Sequence, residues 1–300
     1  MEFISYLISG LSLGSVYAII ALGYTMVYGI AKMLNFAHGD VIMVGGYISF
    51  VAMNSLGLNG WLSLLLAMVA CTVLGIVIEA LAYRPLRQAT SLAVLITAIG
   101  VSYLLQNSAL LIWGANAKVY SPLIPMTNAA GEPMVLKLFG GQLSVSYISL
   151  LTMLFCIVIM IGLTLFTSKS KMGKAMRACS EDKGAAQLMG INVNRTISMT
   201  FAIGSALAAI AGVLLCSSYP TLMPTTGSMP GIRAFTAAVF GGIGSIPGAF
   251  LGGMLIGVIE ALAKAYISTQ LSNSIVFAVL IIVLLVRPSG LLGKYVPEKV

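Results

Sequence analysis

Residues 62–78 read LSLLLAMVACTVLGIVI, and residues 275–286 read IVFAVLIIVLLV. Neither stretch alternates apolar with polar residues, as a strand of a transmembrane β-barrel would. A helix needs about 20 mostly apolar residues to cross a bilayer, and stretches approaching that length recur from Phe3 to the C-terminus. The two runs therefore indicate an all-α integral membrane protein, with residues 1–300 forming a single transmembrane domain.

The composition agrees with this fold class. The chain is 59% hydrophobic and 8% charged, with a mean hydropathy of +1.03, whereas a soluble domain carries roughly 25% charged residues. Lipid is therefore the expected solvent of most of the surface. The net charge of +8 does not predict a nucleic-acid partner, because in a membrane protein the placement of basic residues sets the orientation instead.

Short polar or glycine-rich breaks separate the apolar stretches and predict a helical bundle of eight to ten spans. The candidate spans are Ile4–Ile30, Val41–Leu56, Trp61–Tyr83, Leu92–Trp113, Tyr147–Thr167, Ile197–Ser217, two short segments within Gly231–Ile267, and Ser274–Val286.

Three connections hold most of the 16 basic residues: Arg84, Arg87, Lys169, Lys171, Lys174, Arg177, Lys183, Arg195, Arg287, Lys294 and Lys299. Cytoplasmic loops are enriched in Lys and Arg, so these connections and the C-terminus are assigned to the cytoplasm. Residues 114–146 then form an external loop, in which Met134–Phe139 could be a strand of a small hairpin. The side of the N-terminus stays open, because the first polar break can be interpreted in two ways.

That break reads NFAHGD over residues 35–40. It is either an inner loop or a polar interruption of a discontinuous helix at membrane depth. For His38 and Asp40, a polar hinge or a lining of a translocation path is favoured over a proton relay. A second Gly/Pro-rich break covers Gly241–Gly248, and such breaks point to a transport pathway. The predicted path residues are Asn35, Phe36, His38, Gly39, Asp40, Gly242, Gly244 and Pro247.

No catalytic residues, metal ligands or cofactors are predicted. The pairs Gly173-Lys174 and Gly293-Lys294 lack the flanking pattern of a phosphate-binding loop, and the single histidine and four cysteines have no metal-ligand spacing. Two acidic positions are interpreted as structural or interfacial ion pairs: Glu79, five residues before Arg84, and Glu260, four residues before Lys264.

Five stretches together resemble the branched-chain amino acid permeases of ATP-binding-cassette importers, specifically the leucine/isoleucine/valine permease that is paired with a second permease. The first stretch, residues 14–29, begins with GSVYA and ends with MVYG, and the fourth, residues 172–192, begins with MG and ends with GIN. The other three are NFAHG (35–39), YRPLR (83–87) and AFTAAVFGGIGSIPGA (234–249). The likeness extends from about Leu11 to Gly293. It implies a bacterial inner-membrane protein with two ATPase subunits, a second homologous permease and an extracytoplasmic amino-acid-binding protein as partners.

The resemblance also implies that the cytoplasmic loop, residues 168–196, couples the permease to an ATPase through Ser180–Gly190. Importer permeases share a Glu-Ala-Ala, three residues, Gly pattern there, and GAAQLMG (184–190) matches it with glycine in place of glutamate. One or two short helices outside the membrane are expected, with Gly190 as a left-handed cap. The implied coupling residues are Arg177, Glu181, Asp182, Gly184, Ala185, Ala186 and Gly190.

Other functions stay open at this point. Importers of amides and urea belong to the same permease family. A stand-alone secondary transporter or channel is a second class, which the missing strong intramembrane acid argues against. A structural membrane subunit without transport is a third.

Overall fold

The computed structural model describes residues 2–125, 134–138 and 143–293 of the protein. In this part of the chain the helices are α1 Glu2–Ala31, α2 His38–Asn54, α3 Gly60–Ile78, α4 Ser91–Trp113, α5 Tyr147–Lys169, α6 Lys171–Glu181, α7 Lys183–Leu188, α8 Val193–Ser218, α9 Ser228–Gly241, α10 Ile246–Tyr266 and α11 Ser272–Val286. Helix α3 continues into a π-helical turn, Glu79–Tyr83, and a 3-10 turn, Arg84–Leu86. The strands are β1 Lys118–Val119, β2 Val135–Leu138, β3 Leu143–Ser146 and β4 Thr221–Leu222.

Six of the described helices are long and apolar enough to cross a membrane: α1, α3 with its extension, α4, α5, α8 and α10. Helix α11 is a shorter apolar helix, and α2 and α9 have 17 and 14 residues. The predicted class, an all-helical membrane protein, is confirmed. One expected detail is wrong, because the second segment within Gly231–Ile267 is a full-length helix of 21 residues. Its glycines pack against neighbouring helices and do not end it.

Helices α1 and α8 form the centre of the bundle. In the most apolar window of α8, 83% of the residues are buried, against 11% in α4. Helix α1 packs on α8, α9 and α10, and α3 covers the other side of α8. The peripheral helices expose large apolar side chains, such as Leu111 of α4 and Leu285 of α11. Lipid suits these exposed apolar side chains.

Helices α1 and α10 approach backbone to backbone. A Cβ atom added at Gly10 would lie 2.8 Å from Val258 Cα, and one added at Gly14 would lie 2.8 Å from Met254 O. Between helices in lipid, such contact through small residues supplies the dispersion energy that apolar burial alone does not.

Two small two-stranded sheets lie at the end of the bundle where α1 begins. Strand β2 pairs antiparallel with β3, and β1 pairs with β4. The expected strand at Met134–Phe139 is observed as Val135–Leu138, and Phe139 lies outside the described residues.

The basic connections meet at the opposite end. Lys183 Nζ donates to Ala31 O at the end of α1 (2.9 Å), Arg87 donates to Asn194, and Leu292 N donates to Gly241 O (2.9 Å). These contacts attach the loop around α6 and α7 to the end of α1, the connection after α3 to the start of α8, and the C-terminal segment to the end of α9. Lys294 and Lys299 of the basic tail lie outside the described residues.

Candidate translocation path and coupling surface

The first polar break returns the chain into the bundle. Helix α1 ends at Ala31, Lys32 adopts a left-handed φ of 58°, and α2 starts at His38. The imidazole of His38 lies against α1 well before its end, because a Cβ added at Gly23 would be 2.7 Å from His38 Cε1. At 1.5 Å per residue, α2 therefore begins about 12 Å inside the end of α1. Of the two interpretations of residues 35–40, the discontinuous helix is the one observed.

A second discontinuous helix meets the first. After β4, the chain enters from the opposite end of the bundle, and α9 starts at Ser228. A Cβ at Gly39 would lie 2.8 Å from Gly227 O, and one at Gly231 would lie 2.9 Å from Gly39 Cα. Only residues without a side chain allow this approach. The N-termini of α2 and α9 thus lie together inside the bundle, an arrangement found at transporter substrate sites.

The sequence did not indicate this second break. The predicted break at Gly241–Gly248 is the connection between α9 and α10, at the end where α1 finishes. The break that meets α2 is residues 219–227, which read YPTLMPTTG. Pro220, Pro224 and Gly227 could have indicated this break, because proline and glycine together mark turns and these residues come directly after the long α8.

A cavity of about 390 Å³ lies beside the two helix starts, between α2, α4 and α9. Three of the predicted path residues, Phe36, Gly39 and Asp40, line it. The other lining residues are Tyr24, Leu95, Ile99, Ser102, Tyr103, Gln106, Ser228, Gly231 and Ile232. The five lining residues from α4 and the three from α9 were not predicted, because nothing in the local sequence of either helix distinguishes them from their neighbours.

Asp40 is the acidic residue that lines this cavity. Its side chain is 2% exposed, and its Oδ1 accepts a hydrogen bond from Gln106 Nε2 (2.9 Å). The same amide nitrogen lies 3.3 Å from both Ser102 Oγ and Ser228 Oγ. Within the described residues, no basic side chain comes within 4.0 Å of the Asp40 carboxylate. Neutral groups therefore surround a buried acid.

Asn35 and His38 stabilise the break rather than line the cavity. Asn35 Oδ1 accepts a hydrogen bond from the Tyr83 hydroxyl (2.9 Å). The His38 ring is 1% exposed and packs edge-on against Tyr24, with ring centroids 4.6 Å apart. The described residues provide no hydrogen bond between His38 and Asp40. These contacts fit a polar hinge better than a proton relay.

The remaining predicted path residues lie near the end of α1. Gly244 and Pro247 line a separate cavity of about 450 Å³, together with Arg177 and Glu181. Gly242 packs instead against Gly293, and its φ of 104° is open to glycine but strained for other residues. The predicted path residues therefore lie in two places, around the start of α2 inside the bundle and near the end of α1.

The predicted cytoplasmic loop forms two short helices, α6 and α7. Ser170 Oγ accepts from Gly173 N (2.8 Å) at the start of α6. Asp182 Oδ1 accepts from Gly184 N (2.7 Å) and Ala185 N (3.0 Å) at the start of α7. Both are N-caps of the usual kind. Gly190 has a φ of 80°, so the expected left-handed conformation after α7 is confirmed.

The implied coupling residues differ in exposure. Arg177, Glu181, Asp182, Gly184, Ala185 and Gly190 are exposed. Ala186 is only 4% exposed and packs with Met26 and Met176 of the same chain. Two residues that were not singled out, Leu188 and Met189, are 91% and 81% exposed. The sequence could have indicated this surface, because Leu188 and Met189 are two large apolar residues in a polar loop, between Ala185-Ala186 and Gly190.

Lys183 connects the start of α7 to the end of α1 through its bond to Ala31 O. Burial lowers the pKa of its ammonium group, and the positive charges of Arg87 and Lys32 lower it further. On α6, burial raises the pKa of the Cys179 thiol, which keeps that cysteine an unreactive packing residue.

Glu79 forms an ion pair, but with a different arginine from its predicted neighbour. Its carboxylate pairs with Arg87 and accepts from Ser198 Oγ of α8 (2.6 Å). Arg84 is exposed. Arg87 follows the π-helical and 3-10 turns that extend α3, and it reaches back to Glu79, whereas Arg84 does not.

The predicted pair of Glu260 and Lys264 on α10 is confirmed, with 2.5 Å between charged atoms. Glu260 also pairs with Arg233 of α9 (2.8 Å) and accepts from the Tyr17 hydroxyl of α1 (2.8 Å). Arg233 in turn donates to Asn273 of α11. This network, which joins four helices, was not predicted, because its members are far apart in the sequence.

Apolar spanning helices, two discontinuous helices that meet at an internal cavity, and paired short helices outside the bundle define the class of polytopic membrane permeases. The chain belongs to the family described as branched-chain amino acid transport system / permease component, whose sequence pattern matches residues 6–285. The resemblance seen in the sequence is confirmed, and a transport subunit, not an enzyme, is the established class.

Two relatives match over nearly their full length. The high-affinity branched-chain amino acid transport system permease protein BraD of Pseudomonas aeruginosa is 46% identical, with 100% of this chain and 98% of that protein covered. The high-affinity permease protein LivH of Escherichia coli strain K12 is 45% identical with the same coverage. Among solved structures, PsaBC from Streptococcus pneumoniae in complex with Fab has a TM-score of 0.49 at 14% identity, over 96% of this chain and 93% of that chain.

Proposed function

We propose that the chain is the membrane-spanning permease subunit of an ATP-binding-cassette importer that moves leucine, isoleucine and valine across the bacterial inner membrane. The full-length identity of 45–46% to permeases of high-affinity branched-chain amino acid transport carries the proposal. The chain's sequence contains no phosphate-binding loop, so ATP is hydrolysed by two separate ATPase subunits. An extracytoplasmic binding protein delivers the amino acid.

A second homologous permease completes the path. The cavity beside Asp40 opens on a face where Ile99, Tyr103 and Ile232 are 43%, 62% and 42% exposed. Polar and ionisable groups that face hydrocarbon cost several kcal/mol each. A second permease packed over this face removes that cost and encloses the cavity between the two subunits.

The path runs from this cavity towards the one lined by Gly244 and Pro247. The starts of α2 and α9 lie where the two permeases meet, so small movements of these helices open the cavity to one side or the other. ATP binding selects between the two conformations only if it stabilises one of them more than the other. The contact that transmits this preference is the one with the ATPase.

Helix α7 supplies that contact. Leu188 and Met189 project from a polar loop, as apolar anchors of an interface do, and the Asp182 cap holds the helix that carries them. Lys183 connects α7 to the end of α1, directly before the break that leads into α2. The basic residues at the same end support a cytoplasmic position for α6, α7 and the C-terminus, and α1 then begins on the extracytoplasmic side.

The test is reconstitution of the chain with the second permease, the ATPases and the binding protein in proteoliposomes. Leucine-loaded binding protein is expected to stimulate ATP hydrolysis and uptake of labelled leucine. If no ATPase copurifies with the chain, the importer assignment is wrong. Uptake of labelled urea or acetamide in preference to leucine would move the substrate to the amide and urea class. Ion-driven uptake by the chain alone would indicate a secondary transporter.

A further inference from the structure

We propose that Asp40 binds the α-ammonium group of the amino acid in the cavity between α2, α4 and α9, and that the apolar wall of the cavity receives the aliphatic side chain. The inference rests on the proposed function and adds to it a residue-level basis for recognition inside the permease. It predicts a charged contact on the transport route.

The charge of Asp40 is the first argument. An ionised carboxylate removed from water needs an opposite charge or several hydrogen bonds to offset the loss of hydration. Asp40 is 2% exposed, and Gln106 and Ser102 beside it are neutral. Glu79 and Glu260, the other buried acids among the described residues, both have a basic partner. A cationic ligand in the adjoining cavity would supply the missing partner of Asp40.

The start of α9 is the second argument. Gln106 Nε2 lies 2.9 Å from Asp40 and 3.3 Å from the Ser228 hydroxyl, so one amide joins the acid to the first residue of a 14-residue helix. The N-terminus of a helix carries a partial positive charge and favours a carboxylate. The cavity therefore presents a negative group and a positive helix end side by side, as the two charges of an α-amino acid require.

The apolar wall is the third argument. Leu95 and Ile99 of α4 and Ile232 of α9 line the same cavity as Asp40. Its volume of about 390 Å³ is within the range of small-ligand sites, in which a few polar groups fix orientation and apolar walls accept the rest of the ligand. An aliphatic side chain fits this wall.

A purely structural role is the alternative for Asp40. An acidic residue in the first turn of a helix stabilises it by about 0.3–1 kcal/mol through the helix dipole, and the bond to Gln106 fastens α2 to α4. A structural role predicts loss of assembly when the charge is removed. A recognition role predicts loss of substrate movement in a complex that still assembles and still hydrolyses ATP.

The experiment uses the complete importer in proteoliposomes with leucine-loaded binding protein. Asp40→Asn keeps the shape of the side chain and removes its charge. We expect the leucine transported per ATP hydrolysed to fall at least tenfold, with the yield of the complex and its stimulated ATPase activity retained, and Asp40→Glu to restore part of the uptake. Glu2→Gln is the matched control, because Glu2 is an exposed acid at the start of α1, and its uptake is expected to stay normal.

Wild-type uptake by the Asp40→Asn complex overturns the inference. If that variant does not assemble, Ile99→Phe tests the same cavity, because Ile99 is 43% exposed and not needed for the core. The larger ring takes up space beside the apolar wall and leaves less room in the cavity for leucine than for the smaller valine. The ratio of leucine to valine uptake is therefore expected to fall, and an unchanged ratio overturns the inference. A wild-type complex that imports no leucine at all refutes the proposed function instead, so the two failures are distinguishable.

Discussion

Replacing Glu260 by glutamine tests the network that joins four helices. Glu260 is fully buried and is the acceptor for Arg233, Lys264 and Tyr17. The substitution preserves the volume of the side chain but leaves two cations without their counter-charge. Removing one partner of a buried ion pair destabilises a protein by about 3–5 kcal/mol. At about 2 °C per kcal/mol for a large chain, the midpoint of thermal unfolding falls by about 6–10 °C.

Lys264→Gln is the matched comparison on the same helix. Its side chain is 36% exposed, and an exposed ion pair contributes about 0–1 kcal/mol. Arg233 and Tyr17 keep their contacts with Glu260 in this variant. The expected loss is therefore below about 2 °C, several times smaller than for Glu260→Gln.

The measurement is thermal unfolding of both purified variants in the same detergent, followed by loss of the monodisperse peak on size exclusion. Arg233→Gln, which removes the cation from the other side of the pair, is expected to resemble Glu260→Gln. Equal midpoints for Glu260→Gln and Lys264→Gln would refute the reasoning, because they would show that Arg233 and Tyr17 contribute nothing to the stability of the buried carboxylate.

Three further predictions concern α7. Leu188→Asp places a charge at a 91% exposed apolar site and is expected to weaken retention of the ATPase at least tenfold in pull-down. The control, Lys174→Asp on α6, should leave retention intact. Equal effects of the two substitutions would show that Leu188 is not part of the interface. Asp182→Ala deletes the N-cap, at a cost of about 0.5–2 kcal/mol, so hydrogen exchange should quicken in α7 and not in α10. Lys183→Met loses the bond to Ala31 O, and leucine uptake per ATP should fall while ATPase retention stays normal; unchanged uptake would separate this bond from coupling.

The sequence predicted what depends on local patterns. The apolar runs identified the long helices, the Ala and Leu content of the cytoplasmic loop predicted one or two short helices there, and the spacing of Glu260 and Lys264 gave their ion pair. These features arise from residues that are close together in the chain. The family resemblance then supplied the class of transporter, which no apolar run could have supplied.

The cavity depended on contacts that no local pattern encodes. Asp40, Gln106 and Ser228 come from three separate helices, and nothing in the local sequence of any one of them indicates the other two. The start of α9 was missed for the same reason: residues 219–227 look like an ordinary turn until α2 is seen to begin beside them. The burial of Ala186 depended likewise on packing against Met26 and Met176, which its own loop sequence could not indicate.

The contact between Gly39 and Gly227 also has a consequence for how the chain is made. The ribosome releases α2 long before α9, so the start of α2 enters the membrane without the backbone that later covers it. Until α9 arrives, Asp40 and the free amide groups beside it must remain near water or be shielded by the insertion machinery. Membrane insertion is therefore expected to pause while α1 and α2 are only partly inserted. The start of α2 is covered only when α9, in the second half of the protein, packs against it.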